Sequence, residues 1–243
     1  MTVKEEVGGE DLAAGRQVLF VTGTDTNVGK TVAAVALLRA LARAGCRTAA
    51  LKPVAAGGEN SAAGFQNRDA QWLQQAATEV LPYGAVNPFL FSDPIAPHIA
   101  AENGRQRLDL ADCLAACQSA LTAAVDVVVV EGAGGWQVPL NDRHSMADLA
   151  VSMATGVVLV VGMKLGCLNH ALLSVSAIER SGVPLVGWIA NHLQHDMAMA
   201  EQNVQSLRQR IDAPLLGVLP YCDDVLSPRL AEALDLSPLS LAV

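Results

Sequence analysis

The strongest constraint on the fold is the segment Gly23-Thr24-Asp25-Thr26-Asn27-Val28-Gly29-Lys30-Thr31. It follows an apolar strand pattern at residues 17–22 and opens a helical pattern at residues 30–44. Glycines allow the backbone to turn its N–H groups toward a phosphate, and the N-terminus of the helix adds partial positive charge. A lysine at the helix start supplies a point charge, and the threonine hydroxyl after it supplies a ligand for Mg²⁺. The segment therefore predicts a Walker A phosphate-binding loop.

The spacing of this loop departs from the usual Walker A rule. Five residues rather than four separate Gly23 from Gly29, so Thr24 stands where the first glycine is usual. An ordinary glycine-rich turn is the alternative, but Gly-Lys-Thr between a strand and a helix favours a nucleotide site. The expected nucleotide contacts in the loop are Asp25, Thr26, Asn27, Val28, Gly29, Lys30 and Thr31.

Strand and helix patterns alternate along the rest of the chain. Further strands are expected at residues 47–52, 125–130, 157–161, 185–190 and 215–218, and helices at 69–77, 108–124 and 168–181. This order predicts a single-domain α/β fold of the P-loop NTPase type, with a mainly parallel sheet and helices on both faces. We expect a flexible tail at residues 1–16, one domain at 17–243, an irregular segment at 87–98, and no assignable structure at 226–243.

Composition narrows the class of protein further. Hydrophobic residues make up 51% of the chain but aromatic residues only 4%, which suits a sheet buried under helices on both faces. The net charge of -8 argues against nucleic acid or an anionic membrane as a partner. The apolar runs are shorter than the ~18 residues needed to span a bilayer. The five scattered cysteines and the lack of an apolar secretion signal predict a reduced, cytoplasmic protein.

Three charged residues are candidates for phosphate and metal chemistry, because phosphoryl transfer needs a metal ion to neutralise charge. Glu131 follows four valines at a strand end, where a Walker B acid would lie, unless it simply turns to solvent. Asp69 follows a polar loop and could bind Mg²⁺ or merely cap a helix. Lys52 ends the second strand and is either a snorkelling edge residue or a second phosphate clamp.

These motifs occur in an order that resembles the dethiobiotin synthetase family. The resemblance extends from about Val18 to Pro220 and covers nearly the whole chain. Besides the phosphate loop, the segments that carry it are Lys52-Pro53-Val54-Ala55, Asn67-x-Asp69-Ala70, Val86-Asn87-Pro88, Pro97-His98-Ile99, Val130-Glu131-Gly132-Ala133-Gly134-Gly135-Trp136, Lys164-Leu165-Gly166-Cys167-Leu168-Asn169-His170-Ala171, Gly187-Trp188-Ile189-Ala190-Asn191 and Pro214-Leu215-Leu216-Gly217-x-Leu219-Pro220. The Lys164 segment is more specific than the phosphate loop.

The resemblance implies an ATP- and Mg²⁺-dependent ligase. Carbon dioxide would form a carbamate on one amine of 7,8-diaminononanoate, and the carbamate would attack the γ-phosphate of ATP. The second amine would then close the ureido ring and release phosphate. The implied catalytic residues are Lys30, Lys52 and Thr26. The implied ligands of Mg²⁺ are Thr31, Asp69 and Glu131.

The resemblance also implies where the base and the substrate bind. Asn191 and Pro220 would contact adenine. The implied substrate contacts are Lys52, Gly134, Gly166, Cys167, Leu168 and Asn169. Residues 166–169 would hold the substrate carboxylate from the partner subunit of a homodimer. The alternative is that Lys164 decorates a loop and Asn169 caps the following helix.

Two positions depart from the family pattern, and two other functions compete with this one. Asn27 stands where an acidic residue is frequent, and Ala56 where a substrate-contacting serine is frequent, which affects substrate affinity rather than reaction class. One competing hypothesis is another P-loop amidoligase or carboxylase. The other is a partitioning or switch-type ATPase, which usually has a second lysine near the start of the loop. Residues 23–26 contain none.

Overall fold

The computed structural model describes residues 16–240. In chain order its strands are β1 (Gln17–Gly23), β2 (Thr48–Leu51), β3 (Val54–Ala56), β4 (Glu59–Ser61), β5 (Gly64–Gln66), β6 (Phe89–Phe91), β7 (Val127–Gly135), β8 (Gly156–Met163), β9 (Leu185–His192) and β10 (Leu215–Leu219). Its helices are α1 (Lys30–Arg43), α2 (Arg68–Ala76), α3 (Tyr83–Val86), α4 (Pro97–Asn103), α5 (Leu110–Leu121), α6 (Met146–Met153), α7 (Cys167–Ser181), α8 (Ala200–Arg208) and α9 (Pro228–Glu232).

A central sheet of six parallel strands organises the molecule, in the order β10-β9-β8-β1-β7-β2. The chain leaves β1 through α1 toward β2 on one side, and it later continues through β8, β9 and β10 on the other. The strand order therefore reverses beside β1, and the loops after β1, β7 and β8 open together at the carboxyl edge. Ligands bind at such a reversal in doubly wound sheets. The predicted fold class is confirmed.

The sheet carries a hydrophobic core on each face, which explains its valine-rich strands. In β7, Val128 and Val130 belong to one core, while Val127 and Val129 belong to the other. All four are at most 2% exposed. A strand buried on both faces needs a continuous apolar run rather than an alternating one. Helix α1 covers the face of Val127 and Val129, while α5, α6 and α7 cover the opposite face.

Some local expectations differ from the structure. Residues 87–98 are not wholly irregular, because β6 pairs in parallel with β3 and α4 begins at Pro97. A proline fits the first position of a helix, where its missing N–H would have no partner. The polar loop before α2 contains the β4–β5 hairpin, and the unassigned C-terminal part contains α9, which packs on α1.

The structure tests the predictions for the N-terminal tail and for membrane-spanning helices only over the residues that it describes. Of the tail predicted at residues 1–16, residues 1–15 lie outside the described residues. Residue 16 is described, and the Nε of Arg16 donates a hydrogen bond to the Val125 carbonyl oxygen at 3.2 Å. Within residues 16–240, no helix is long and apolar enough to cross a membrane.

Candidate active site

The phosphate loop connects β1 to α1 with two residues in the left-handed region of backbone space. Asn27 has φ of 58° and Gly29 has φ of 83°. Asparagine tolerates this region better than most non-glycine residues, which accounts for its place here. A Cβ on Gly29 would lie 2.0 Å from Nδ2 of Asn191, so this position also has no room for a side chain. No side chain of the described residues caps α1, so its first N–H groups can serve a phosphate.

Lys30 is the first residue of α1, and its side chain is almost fully buried. Its Nζ donates a hydrogen bond to the carbonyl oxygen of Asp25 at 3.1 Å, so the ammonium points back into the loop. Burial lowers the pKa of Lys30 to about 8; the Glu131 carboxylate opposes this shift, and the Lys52 ammonium reinforces it. A buried cation held by the loop itself is well placed to meet a phosphate.

Lys52 and Glu131 form a buried ion pair beside the loop. Their side chains are 6% and 1% exposed, and Nζ of Lys52 lies 2.5 Å from Oε1 of Glu131. Oδ2 of Asp69 lies 3.8 Å from the same ammonium, and the Thr31 hydroxyl donates to Oε1 of Glu131 at 3.0 Å. The structure thus excludes a solvent-facing Glu131 and a snorkelling Lys52. It brings four residues predicted for phosphate and metal chemistry into one cluster.

The protonation of this cluster follows from burial and opposite charges. Burial lowers the pKa of Lys52, but the carboxylates of Glu131 and Asp69 outweigh it and raise that pKa above its usual value. Burial raises the pKa of Glu131 above its usual value, although the Lys52 ammonium opposes that shift. Lys52 therefore carries its proton at neutral pH, as a clamp for an anionic reactant must.

Oxygen atoms in this cluster fit a magnesium ion. Oε2 of Glu131 is buried and has no hydrogen-bond partner among the described residues, which is unusual for a carboxylate oxygen. Within residues 16–240 there is no group of three or more His, Cys, Asp or Glu side chains that could hold a metal alone. Mg²⁺ commonly takes one or two carboxylates together with phosphate oxygens. The donors present therefore suit a metal ion bound together with a nucleotide.

Asp69 reaches the cluster from the first turn of α2. The N-cap of that helix is Asn67, whose Oδ1 accepts a hydrogen bond from the Ala70 N–H at 3.2 Å. The alternative that Asp69 serves only as the helix cap is therefore wrong. With the cap supplied by Asn67, the Asp69 carboxylate is free to face Lys52.

The residues expected to contact adenine, and the glycine expected to contact the substrate, lie along the same edge of the sheet. Asn191 is 4% exposed, and its Nδ2 donates to the carbonyl oxygen of Val28 at 3.0 Å. Pro220 directly follows β10, where Leu219 pairs with Asn191. Gly134, with φ of 64°, lies beside the loop, because a Cβ there would be 3.7 Å from Oγ1 of Thr26.

The connection between β8 and α7 contacts the phosphate loop through Lys164. Its Nζ donates to Oδ2 of Asp25 at 3.0 Å, and this hydrogen bond holds the pKa of Asp25 below its usual value. Gly166, with φ of 94°, is the N-cap of α7, and Asn169 is an exposed residue within the helix. The alternative is therefore wrong in both parts: Lys164 is bound to Asp25, and Asn169 is not the cap of α7. No hydrogen bond or ion pair of the described residues joins residues 166–169 to Lys30, Lys52 or Glu131.

Two supporting residues had no predicted role. Lys164 was part of a matched segment, but nothing in the sequence paired it with Asp25. Asn87 is 3% exposed, and its Nδ2 donates to the carbonyl oxygen of Lys52 at 2.7 Å. It thereby fixes the backbone that carries the clamp. The matched Val86-Asn87-Pro88 segment was the available signal for it.

A phosphate loop between β1 and α1, a buried lysine and a strand-end carboxylate define a P-loop nucleotide-binding protein. A family model described as "AAA domain" matches residues 17–229. Among solved structures, the MinC:MinD cell division protein complex of Aquifex aeolicus aligns with a TM-score of 0.51 at 16% identity. That alignment covers 89% of this chain and 86% of the other, and it supports the fold alone.

Curated relatives define the family more closely. An ATP-dependent dethiobiotin synthetase of Cellvibrio japonicus is 49% identical over 225 residues, covering 92% of this chain and 98% of the relative. One of Pseudomonas aeruginosa (strain UCBPP-PA14) is 46% identical, again covering 92% and 98%. The chain belongs to the ATP-dependent dethiobiotin synthetase family. This confirms the resemblance and disfavours both competing hypotheses.

Proposed function

We propose that this site converts 7,8-diaminononanoate, carbon dioxide and ATP into dethiobiotin, ADP and phosphate. The observation that carries the proposal is the cluster of Lys30, Thr31, Lys52, Asp69 and Glu131 at the carboxyl edge of the sheet. Two cations and two carboxylates at one helix N-terminus suit the transfer of a phosphoryl group between anions. The identity of the reactants is inferred from membership of the dethiobiotin synthetase family.

The reaction joins the carbon of carbon dioxide to both nitrogens. One amine adds to carbon dioxide and loses a proton, which gives a carbamate. A carbamate oxygen bonds to the γ-phosphorus of ATP while the bond from that phosphorus to the β–γ bridging oxygen breaks, releasing ADP. The second amine then attacks the carbamoyl carbon, loses a proton and expels phosphate. Phosphorylation makes the poor carbamate oxygen a leaving group.

The residues of the cluster would position these anions and stabilise their charge. Lys30 would meet the transferring phosphoryl group, and Thr26 would donate at the phosphate or carbamate. Lys52 can retain Glu131 and still donate to the carbamate, because an ammonium has three hydrogens. Thr31, Asp69 and Glu131 would hold Mg²⁺, whose charge neutralises the phosphate oxygens. The backbone from residue 25 to 31 would hold the phosphates, with Asn191 and Pro220 at adenine.

The carboxylate of the substrate needs an anchor several methylenes from the amines. The N-terminus of α7 at residues 166–169 offers backbone N–H groups, and Asn169 adds a side-chain donor. We assign this anchor to the partner subunit of a homodimer. Exposed apolar side chains in the adjoining sequence support a second copy, namely Leu165 at 100% and Leu173 at 62% exposure.

A cytoplasmic location belongs to the same proposal. The five cysteines, Cys46, Cys113, Cys117, Cys167 and Cys222, all lie within residues 16–240 and carry no disulfide there. Free thiols are typical of a reducing compartment.

Product formation tests the proposed reaction directly. The chain is incubated with ATP, Mg²⁺, bicarbonate and diaminononanoate, and phosphate and dethiobiotin are measured together. One phosphate should appear for each dethiobiotin, and phosphate release should fall to background without the diamine. Phosphate release that is independent of the diamine but responds to DNA or to a protein partner would favour a switch-type ATPase instead.

A further inference from the structure

We propose that Asn191 is a positioning residue of the phosphate loop, which it holds in place whatever base the nucleotide carries. The inference rests on the proposed nucleotide site but assigns Asn191 a role that recognition of adenine does not require. It starts from a contact between two buried groups. Nδ2 of Asn191, at the end of β9, donates to the Val28 carbonyl oxygen at 3.0 Å. Their residues are 4% and 0% exposed.

The side chain of Val28 packs against two glycines, Gly23 and Gly162, in a space that a larger residue at either position would fill. A Cβ on Gly23 would lie 2.6 Å from Cγ2 of Val28, and a Cβ on Gly162 would lie 2.8 Å from its Cβ. Both distances are shorter than real Cβ atoms allow, so Val28 occupies the space that two side chains would need. This pocket joins the loop to the end of β8, next to Asn191 on β9.

A third contact fixes the start of the loop on the same strand. The N–H of Thr24 donates to the Val160 carbonyl oxygen at 3.0 Å. The loop is thus held by β8 at Thr24, by Gly162 at the Val28 side chain, and by β9 at the Val28 carbonyl. Val28 directly precedes Gly29 and Lys30, whose N–H groups open α1, so its position sets the direction of those groups.

The same amide can serve the base and the loop together. It has two hydrogens and one oxygen, and the bond to Val28 uses one hydrogen. The backbone of Gly29 also approaches Asn191 so closely that a Cβ would lie 2.0 Å from Nδ2. A contact with the base at Asn191 would therefore be transmitted to the phosphate loop without any intervening residue.

Hydrogen exchange of the chain without nucleotide tests this role independently of any reaction. In Asn191→Ala, amide groups in peptides covering residues 24–31 should exchange faster than in the unsubstituted chain, while those of β1 and β7 should be unchanged. Asn203→Ala is the control, because its Nδ2 also donates to a backbone carbonyl, that of Met199 at the N-cap of α8. Unchanged exchange at 24–31 in Asn191→Ala would overturn the proposal.

Magnesium tripolyphosphate, which has no base, provides the second measurement. We expect Asn191→Ala to weaken its displacement of a fluorescent ATP analogue about threefold to tenfold, the loss of one hydrogen bond. Equal displacement by tripolyphosphate in both chains, with weaker ATP binding in the variant, would make Asn191 a reader of the base alone.

A second variant at the same position keeps the test decisive if Asn191→Ala folds poorly. Asn191→Leu roughly keeps the size of the side chain but removes the donor to the Val28 carbonyl oxygen, and it should give the same faster exchange at residues 24–31. No change there would also overturn the proposal. Because neither measurement uses the diamine, a chain that makes no dethiobiotin would refute the proposed reaction and leave this inference standing.

Discussion

Nζ of Lys52 lies 2.5 Å from Oε1 of Glu131, and the pair is buried between the phosphate loop and α2. Strand pairing places the two residues side by side, because Leu51 pairs with Val130 in parallel and each is followed by one member of the pair. A buried ion pair that loses one partner leaves an uncompensated charge. Each residue therefore has a structural role as well as its proposed chemical one.

Substitution of Glu131 should separate these roles. Glu131→Gln keeps an oxygen that can accept from Lys52 and Thr31, but it removes the charge that Mg²⁺ needs. We expect the Mg²⁺ concentration for half-maximal turnover to rise about tenfold or more, since even indirect ligand partners contribute that much. A magnesium titration of phosphate release measures it.

Stability provides the control for this substitution. Glu131→Gln removes the charge but keeps an acceptor for Lys52 and Thr31, so it should destabilise the chain less than Glu131→Ala, which removes both and should cost about 3–5 kcal/mol of unfolding free energy. Glu232→Gln changes an exposed glutamate paired with Arg43 and should leave the magnesium titration unaltered. An unchanged magnesium requirement in Glu131→Gln would remove this residue from the metal site.

Lys30 should be essential for phosphoryl transfer. Lys30→Ala removes a preorganised charge donor, so turnover should fall by about two orders of magnitude or more, roughly 3 kcal/mol of transition-state stabilisation. Lys30→Arg should not restore turnover, because the planar guanidinium does not fit a buried site shaped for an ammonium. Single-turnover phosphate release checks both variants, and near-normal rates in Lys30→Ala would rule out the assignment.

The contact between Lys164 and Asp25 should affect nucleotide affinity. Lys164→Met leaves an unpaired carboxylate in a loop that must bind an anion, so the KM for ATP should rise about twofold to fivefold, the range of a partly exposed ion pair. The rise should shrink at high salt. In an Asp25→Asn background the same substitution should add little, and fully additive effects would mean that the two side chains act independently.

The carboxylate of Asp126 should contribute stability that depends on pH. The Arg47 N–H, with its side chain, lowers the pKa of Asp126 below the ordinary value, so the native chain holds this proton less tightly than the unfolded chain. The contribution is therefore present above the ordinary pKa and is lost as pH falls through the lowered one. Asp126→Asn should lower the melting temperature at pH 7, and the difference from the unsubstituted chain should vanish in strong acid.

Sequence patterns predicted the parts of this molecule that are local. The phosphate loop is contiguous, and the valine run of β7 indicates a strand buried on both faces. The contacts that make the site are not local, since Lys52 and Glu131 are 79 positions apart and Asp25 and Lys164 are 139 apart. Their pairing depends on strand order, which periodicity does not give. The prediction of an irregular segment at residues 87–98 was wrong in part because Pro97 begins a helix rather than breaking one.

A shared substrate site should become visible by complementation between two impaired chains, assayed at a low diamine concentration. Asn169→Ala should raise the KM for the diamine far more than the KM for ATP, because Asn169 lies at the proposed carboxylate anchor and the phosphate loop is untouched. If the anchor comes from the partner subunit, a heterodimer of Lys30→Ala and Asn169→Ala chains contains one site with both residues intact. Mixing and refolding the two variants should therefore restore up to about half of the activity per heterodimer. Sedimentation under assay conditions should show a dimer. Activity from a monomer, or no recovery in proven heterodimers, would place the anchor within a single chain.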